Sequence, residues 1–333
     1  MSAASDTPIT GDTFVRPQPS APVRAWRATI DFIKRKPLGA FGAFILILVV
    51  VVAIFSPWIA RDAIGQTHSG DHLLPPSSTY WFGTDHNGRD IYSRIIYGAQ
   101  VTALVGAGTV ILVGLLSVTI GLISGYFMGT IDFIVQRVVD VWIAFPAIFL
   151  ILTMVAVLQT TGNLGILGLG RGPDWGPDPR GGPWIWNTFP RTTIVILVLG
   201  IVLAGGAVRV VRSAVLSVKA NPYIEAAQVI GATNNRIIWR HILPNIMPTV
   251  IVLATVQLGV AVLAEATLSF LGVGVTNFPT WGQMLSGRTQ DLMASNMHLG
   301  LFPGFAIFTA VFGFNMLGDA LRDVLDPRLR GSR

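Results

Sequence analysis

The residues that could perform catalysis or hold a metal are few and far apart in this sequence. None of the three lysines follows a glycine, so a phosphate-binding loop of the form G-x-x-x-x-G-K-[ST] is absent. Cysteine is absent, and the five histidines form no HExxH pair. The polar stretch from Asp85 starts like a calcium loop, but Asp90 and Ile96 stand where glycine and glutamate are needed. We therefore expect no catalysis and no bound metal.

Residues 221–244 have the pattern of two short helices joined at a glycine. Asn221 can cap the first helix, and Pro222 suits its first turn. Gly231 can adopt a positive φ and end that helix, and Thr233 can cap the second. We predict a compact knob here, with a solvated loop as the alternative. Its apolar side chains exceed what a plain loop needs and indicate a partner surface: Tyr223, Ile224, Val229, Ile230, Ile237, Ile238 and Trp239.

The composition indicates which class of protein carries this knob. Of 333 residues, 52% are hydrophobic and only 12% are charged, whereas a soluble domain has about 25% charged residues. The mean hydropathy is +0.62. These values exclude a disordered chain and an ordinary soluble enzyme. The net charge of +6 could suggest nucleic-acid binding, but the basic residues alternate with apolar runs, so we expect membrane lipid and no nucleic acid as a partner.

Six apolar stretches are long enough for a bilayer, which needs about 20 residues. We predict an all-α integral membrane protein with six transmembrane helices. The predicted spans are 37–60, one within 95–131, one within 141–170, 192–208, 246–264 and one within 292–318. The first span begins too far into the chain for a usual signal peptide, so we expect a retained anchor.

Lysine and arginine counts predict the orientation of these spans. Fifteen lie in the amino-terminal segment, the connection 209–241 and the carboxy-terminal tail, against seven in the alternate connections. By the positive-inside rule, both termini are cytoplasmic. We expect a partly disordered tail at 1–36, a six-span domain at 37–320 with a cytoplasmic loop at 213–245, and a second tail at 321–333. The Pro/Gly-rich run 171–183 is predicted to be an irregular outside loop.

The knob also carries a family resemblance. Glu225-Ala226-Ala227, Gly231 and Leu243-Pro244 resemble the EAA loop of inner-membrane permeases of ABC importers. His241 replaces the apolar residue of many EAA loops, as is common in the peptide/nickel branch. Residues 30–330 as a whole are similar to the C-type subunit of dipeptide and oligopeptide permeases. The matching segments are FGTDHNGRDIYSRIIYGA (82–99), EATLSFLGVG (265–274), PTWGQML (279–285), FPGFAI (302–307) and NMLGDALRDVLDPRLR (315–330).

The resemblance implies the type I ABC importer permease fold with a cytoplasmic coupling helix, in a bacterial inner membrane. It implies a second homologous permease subunit, two ATPase subunits that use ATP and Mg²⁺, and an extracytoplasmic substrate-binding protein. This chain would bind no cofactor and would form half of a pathway for di- or oligopeptides. Nickel chelates and glutathione are alternative cargoes within the same family.

The resemblance further implies that seven loop residues couple the permease to its ATPases. Glu225 would accept hydrogen bonds from the ATPase or pair with a basic group on it, and Gly231 would permit the tight turn. The coupling residues are Glu225, Ala226, Ala227, Gly231, His241, Leu243 and Pro244.

Other charged residues have two interpretations each. A carboxylate in lipid costs about 3 kcal/mol, so Glu265 should face the bundle or water, as a pathway or gate residue or as a structural hydrogen-bonding group. An ion-coupled secondary transporter would need carboxylates at mid-membrane, yet Glu265 and Asp140 lie near span ends. Asp140 is also spaced to pair with Arg137. Three outer residues either contact the binding protein or brace the first two spans: Asp85, Arg89 and Asp90.

Overall fold

The computed structural model describes residues 30, 32–161, 184–275 and 278–325. The predicted irregular loop 171–183 and most of both predicted tails lie outside these residues. The chain divides into two compact units, residues 1–37 and 38–333, and the contacts below belong to the second. The described residues contain no β-strand, as expected of an all-α protein.

The helices are numbered here in chain order. They are α1 Pro37–Ile59, α2 Ile91–Phe127, α3 Gly129–Ala144, α4 Ala147–Thr161, α5 Trp184–Lys219, α6 Pro222–Val229, α7 Asn234–Ile237, a π-helical turn Ile238–Ile242, α8 Leu243–Phe270, α9 Trp281–Met284, α10 Arg288–Leu292 and α11 His298–Leu325. Five helical stretches in the described residues are long and apolar enough to cross a membrane: Pro37–Ile59, Ile91–Phe127, Thr192–Lys219, Asn234–Phe270 and His298–Leu325.

The third predicted span, within 141–170, is not one straight helix. Gly129–Ala144 and Ala147–Leu158 together are apolar enough to cross, but they are bent by 85° at a short break. Pro146 disfavours a helical conformation in the residue before it, and Phe145 is extended with φ −82° and ψ 134°. The bent pair, counted as one crossing, gives the six predicted spans, and it begins at Gly129, before the predicted stretch 141–170.

Glycines allow the spans to approach closely at two helix crossings. A Cβ added at Gly125 on α2 would lie 2.9 Å from Val215 Cβ on α5. A Cβ added at Gly42 on α1 would lie 2.3 Å from the carbonyl oxygen of Gly313 on α11. Larger residues at either glycine would force the helices apart, so these small residues set the packing of the bundle.

Buried apolar side chains connect α2, α4, α5 and α8 near the end of the bundle where α2 begins. This cluster includes Val101, Val105, Ile151, Val155, Val195, Leu199 and Leu268. A second cluster lies where α2 and α5 end and where the knob begins. The outer face of α1 instead exposes large apolar side chains such as Phe44 and Ile47, as expected of a surface that contacts lipid.

Candidate functional site

The predicted knob, residues 221–244, lies between α5 and α8. Its first helix, α6, ends at Val229, and Gly231 follows the capping residue Ile230 with φ +84°. The Ala232 amide donates to the Ala227 carbonyl at 3.0 Å, and the Gly231 amide donates to the Gln228 carbonyl at 2.9 Å. These paired bonds form a Schellman motif, the helix ending that needs a residue with positive φ. The predicted role of Gly231 as the turn residue is confirmed.

The two predicted helix caps of the knob differ in outcome. Thr233 Oγ1 accepts a hydrogen bond from the Arg236 amide at 3.4 Å and starts α7, as predicted. Asn221 occupies the cap position of α6, but its side chain makes no capping bond there. Its Nδ2 instead donates to the carbonyls of Ser217 at 3.2 Å and Val218 at 2.9 Å. The side-chain amide of Asn221 thus donates to carbonyls at the end of α5, which lack helical partners. The predicted side-chain cap on α6 was wrong.

The inner face of the knob is packed against the membrane helices. Ile224 and Ile237 are 1% and 0% exposed, in a cluster with Leu122 and Val215. The Tyr126 hydroxyl, at the end of α2, donates to Asn234 Oδ1 at 2.8 Å. The Lys219 ammonium donates to the Tyr126 carbonyl at 2.6 Å. The knob is therefore fixed to the ends of both α2 and α5.

The outer face of the knob is apolar and exposed. Val229 and Ile230 are 83% and 84% exposed, Trp239 is 63% exposed and Tyr223 is 44% exposed. These four residues are called the apolar tip below. Several large apolar side chains exposed within one short segment are typical of an interaction site. The apolar set found in the sequence therefore divides into an anchoring half and an exposed half.

The seven predicted coupling residues lie at different depths in the knob. Ala227 is buried, and His241 and Leu243 are half-buried. The His241 ring lies 6.4 Å from the Tyr223 ring, centroid to centroid. The exposed members are Glu225, Ala226, Gly231 and Pro244. Glu225 sits in the first turn of α6, where the helix dipole favours an acid, and it forms no ion pair with another described residue.

An ionic network that sequence reasoning missed joins α3 to α5. Arg212 Nε donates to Asp132 Oδ1 at 2.6 Å, and the Ser124 hydroxyl donates to the same carboxylate at 2.5 Å. Gln136 Nε2 donates to the Ser124 hydroxyl at 3.1 Å. Arg212 and Asp132 are 80 residues apart in sequence, so no local spacing rule could pair them.

About two turns further along α3, Asp140 contacts two arginines. The predicted partner, Arg137, lies 4.0 Å away on the same helix. Arg209 on α5 is closer and donates a hydrogen bond to Asp140 Oδ1. The pairing predicted within α3 is therefore secondary to a contact between helices, and the two networks together fix the first leg of the bent span to α5.

Glu265 is buried, with 1% of its surface exposed, near the end of α8 opposite the knob. Its Oε1 accepts a hydrogen bond from the Ser269 hydroxyl at 2.7 Å. Thr280, which caps α9, is a second hydrogen-bonding partner. The carboxylate thus links α8 to α9, which supports the structural alternative. The pathway or gate role stays a prediction.

The carboxylates of Asp85 and Asp90 are buried and accept hydrogen bonds from neighbouring residues. Asp85 accepts from the amides of Asn87 at 2.8 Å and Arg89 at 3.0 Å, and from Arg89 Nε at 2.8 Å. Asp90 caps α2, accepting from the Ser93 amide at 2.9 Å and hydroxyl at 2.6 Å. The Ser93 hydroxyl that Asp90 binds also accepts from the amides of Arg61 at 3.0 Å and Asp62 at 3.1 Å, just after α1, which supports the bracing alternative for Asp90. Contact with a binding protein stays a prediction for Asp85, Arg89 and Asp90. Of these three residues, Arg89 is the most accessible, since it is half-buried and the other two are buried.

Two titratable groups between α1 and α2 have shifted pKa values. The Tyr80 hydroxyl donates to Asp71 Oδ2 at 2.7 Å, and this bond raises the pKa of Tyr80 to about 12. Burial lowers the pKa of His86, and three nearby arginines lower it further against the opposing charge of Asp85. In the part of the chain that the structure describes, no three His, Asp or Glu side chains are grouped to hold a metal ion.

Comparison with known proteins assigns the family. Residues 117–331 match the family described as binding-protein-dependent transport system inner membrane component. Residues 24–76 match the N-terminal TM domain of oligopeptide transport permease C.

Full-length relatives agree with both matches. The dipeptide transport system permease protein DppC of Alkalihalophilus pseudofirmus is 36% identical over 94% of this chain and 96% of its own length. Its Bacillus subtilis counterpart is 32% identical over 96% and 89%. The glutathione transport system permease protein GsiD of Escherichia coli is 36% identical over 92% and 91%. This chain is therefore a member of the family of binding-protein-dependent transport system inner membrane components.

Proposed function

We propose that this chain forms half of the translocation pathway of an ATP-driven importer of di- or oligopeptides. The observation that carries the proposal is the two-faced knob. Its inner face is locked to α2 and α5, while its apolar tip is exposed and unpartnered within the described residues. Two relatives named as dipeptide permeases, each covering most of this chain, favour peptides as the cargo.

The proposed importer contains further subunits. A second homologous permease would complete the pathway, two ATPase subunits would bind and hydrolyse ATP with Mg²⁺, and an extracytoplasmic binding protein would deliver the peptide. This chain would bind no cofactor and perform no catalysis. The distribution of lysine and arginine supports a multi-pass inner-membrane protein with both termini in the cytoplasm.

The knob would transmit motion from the ATPase to the membrane helices. The apolar tip would bury its surface in a groove of the ATPase, and the exposed Glu225 would pair with a basic group at the rim of that groove. Gly231 would hold the turn that presents the tip. Ala226 and Pro244 are exposed for direct contact, whereas Ala227, His241 and Leu243 would shape the knob from within.

The proposal is tested by placing a charge on the tip. Ile230→Asp should abolish co-purification of the ATPases in mild detergent and stop ATP-dependent uptake of dialanine, because a charge in an apolar interface is costly. Met297→Asp is the matched control, since Met297 is 74% exposed but lies just before α11, outside the knob. If the Ile230→Asp protein still bound its ATPases and transported dialanine normally, the tip would not be the coupling surface.

Glutathione is a second candidate cargo, because the GsiD relative is as similar to this chain as one of the dipeptide permeases. Competition in the same uptake assay separates the two cargoes. Excess glutathione should leave dialanine uptake unchanged if the importer is a dipeptide system.

A further inference from the structure

A polar cleft of about 220 Å³ lies at the start of α2, between that helix and α10. α2 spans about 55 Å at 1.5 Å per residue, so the cleft and the knob lie at opposite ends of the molecule. We call this space the outer cleft. The lining residues used below are Asp85, His86, Arg89, Arg94 and Arg288.

The charges around the outer cleft are predominantly positive. Asp85 Oδ2 lies 2.8 Å from Arg89 Nε and 3.8 Å from Arg94 Nε, so one carboxylate faces two guanidinium groups. Arg288 contributes a third guanidinium and forms no ion pair with another described residue. Arginine remains charged at any physiological pH. The outer cleft therefore keeps an excess of positive charge that its own carboxylate does not neutralise.

His86 supplies a separate indication that something binds here. Its Nδ1 atom is buried and has no hydrogen-bond partner among the described residues. Buried polar atoms in native proteins nearly always have a partner, and an orphan atom on a residue that lines a cleft suggests a ligand that supplies one. Burial lowers the pKa of His86, which favours the neutral ring. A neutral imidazole can donate from Nδ1 to an anionic oxygen.

We propose that the outer cleft binds a carboxylate group. The planar fork of a guanidinium matches the two oxygens of a carboxylate, and His86 would add a third hydrogen bond. The carboxylate belongs either to the carboxy terminus of a peptide or to an acidic side chain of a docking extracytoplasmic protein. The second source rests on the function proposed above, and the first does not.

Direct binding tests the first source. The full chain in lipid nanodiscs is titrated by calorimetry with dialanine and with dialanine amide, which lacks the carboxylate. Saturable dialanine binding is expected, at least tenfold tighter than binding of the amide. Arg288→Gln should weaken dialanine binding about tenfold, the loss of one charged hydrogen-bonding group, while Arg322→Gln, at the far end of α11, should not change it. Arg288 is exposed, so its replacement should leave the thermal unfolding midpoint unchanged.

Docking of the binding protein to the assembled importer tests the second source. If dialanine does not bind the isolated chain, the affinity of the importer for its binding protein should fall about tenfold in Arg288→Gln. The proposal is wrong if neither affinity changes, if dialanine binds but its amide binds equally tightly, or if inorganic phosphate binds more tightly than dialanine. ATPase co-purification with the Arg288→Gln protein reports separately on the knob, so failure of one proposal is distinguishable from failure of the other.

Discussion

Substitutions at Gly231 should damage the importer through backbone strain and not through crowding. Gly231 has φ +84°, and a Cβ added there would meet nothing within 4 Å. A non-glycine residue in this region costs about 1–2 kcal/mol, which corresponds to a factor of about 5–30 in the population of the native turn. Asparagine tolerates positive φ better than alanine, and a β-branched residue tolerates it worst. Dialanine uptake should therefore decrease in the order Gly, Asn, Ala, Val.

The order of these variants separates the two explanations. Uptake is measured in proteoliposomes that contain the complete importer, per ATP hydrolysed, together with the amount of ATPase that co-purifies. If crowding against the ATPase were the cause, the loss of uptake would instead increase with side-chain volume, so alanine would be tolerated better than asparagine. That result would refute the turn argument. Gly114→Ala is the control, because Gly114 lies inside α2 with ordinary helical φ and open space around its Cα.

Two further predictions concern the anchoring of the knob and the pH dependence of the outer loop. Ile224→Ala should lower the free energy of unfolding by about 2–5 kcal/mol, since it removes a fully buried side chain. Val229→Ala, at an exposed position, should leave the thermal midpoint unchanged but weaken ATPase binding, and equal midpoints for both variants would contradict the assigned faces. The pKa of His86 is lower in the folded state than its ordinary value near 6.5, so the unfolded chain binds protons first as pH falls. The contribution of His86 to the free energy of unfolding should therefore be complete above pH 6.5 and decline below it. The His86→Gln variant should show a weaker decline in the thermal unfolding midpoint between pH 7.5 and 5. The exposed His72→Gln variant should show the same decline as the unmodified chain.

Local rules accounted for much of the knob. Gly231 and Thr233 act through hydrogen bonds within a few residues, so the sequence around them determines the turn. Asn221 failed as a predicted cap because two helix ends meet there, and its side chain serves the carbonyls of α5 instead of the amides of α6. Pro146 marks the bend in the sequence, whereas hydrophobic length alone predicts a span there without showing that it is bent.

Tertiary contacts were beyond local rules. Asp132 meets Arg212 across 80 residues, and Trp281 Nε1 donates to the Ile95 carbonyl across 186 residues. The sequence left Glu265 with two possible roles, because a span position does not reveal whether a hydroxyl such as that of Ser269 faces the carboxylate. The outer cleft was missed for a similar reason, since its walls come from two distant segments that the fold brings together.

The packing of the knob explains why a force applied to its tip would act on several spans together. Ile224 and Ile237 bury themselves against α2 and α5, so the knob cannot tilt without carrying the ends of these helices or opening a cavity. The knob also continues into α8, since Asn234–Phe270 is one helical stretch of 37 residues, about 55 Å long. At its far end Glu265 ties this stretch to α9, through bonds that are shielded from water. Motion imposed on the apolar tip would thereby be conveyed along α8 to the end of the molecule opposite the knob, whereas a knob on a flexible tether would absorb that motion locally.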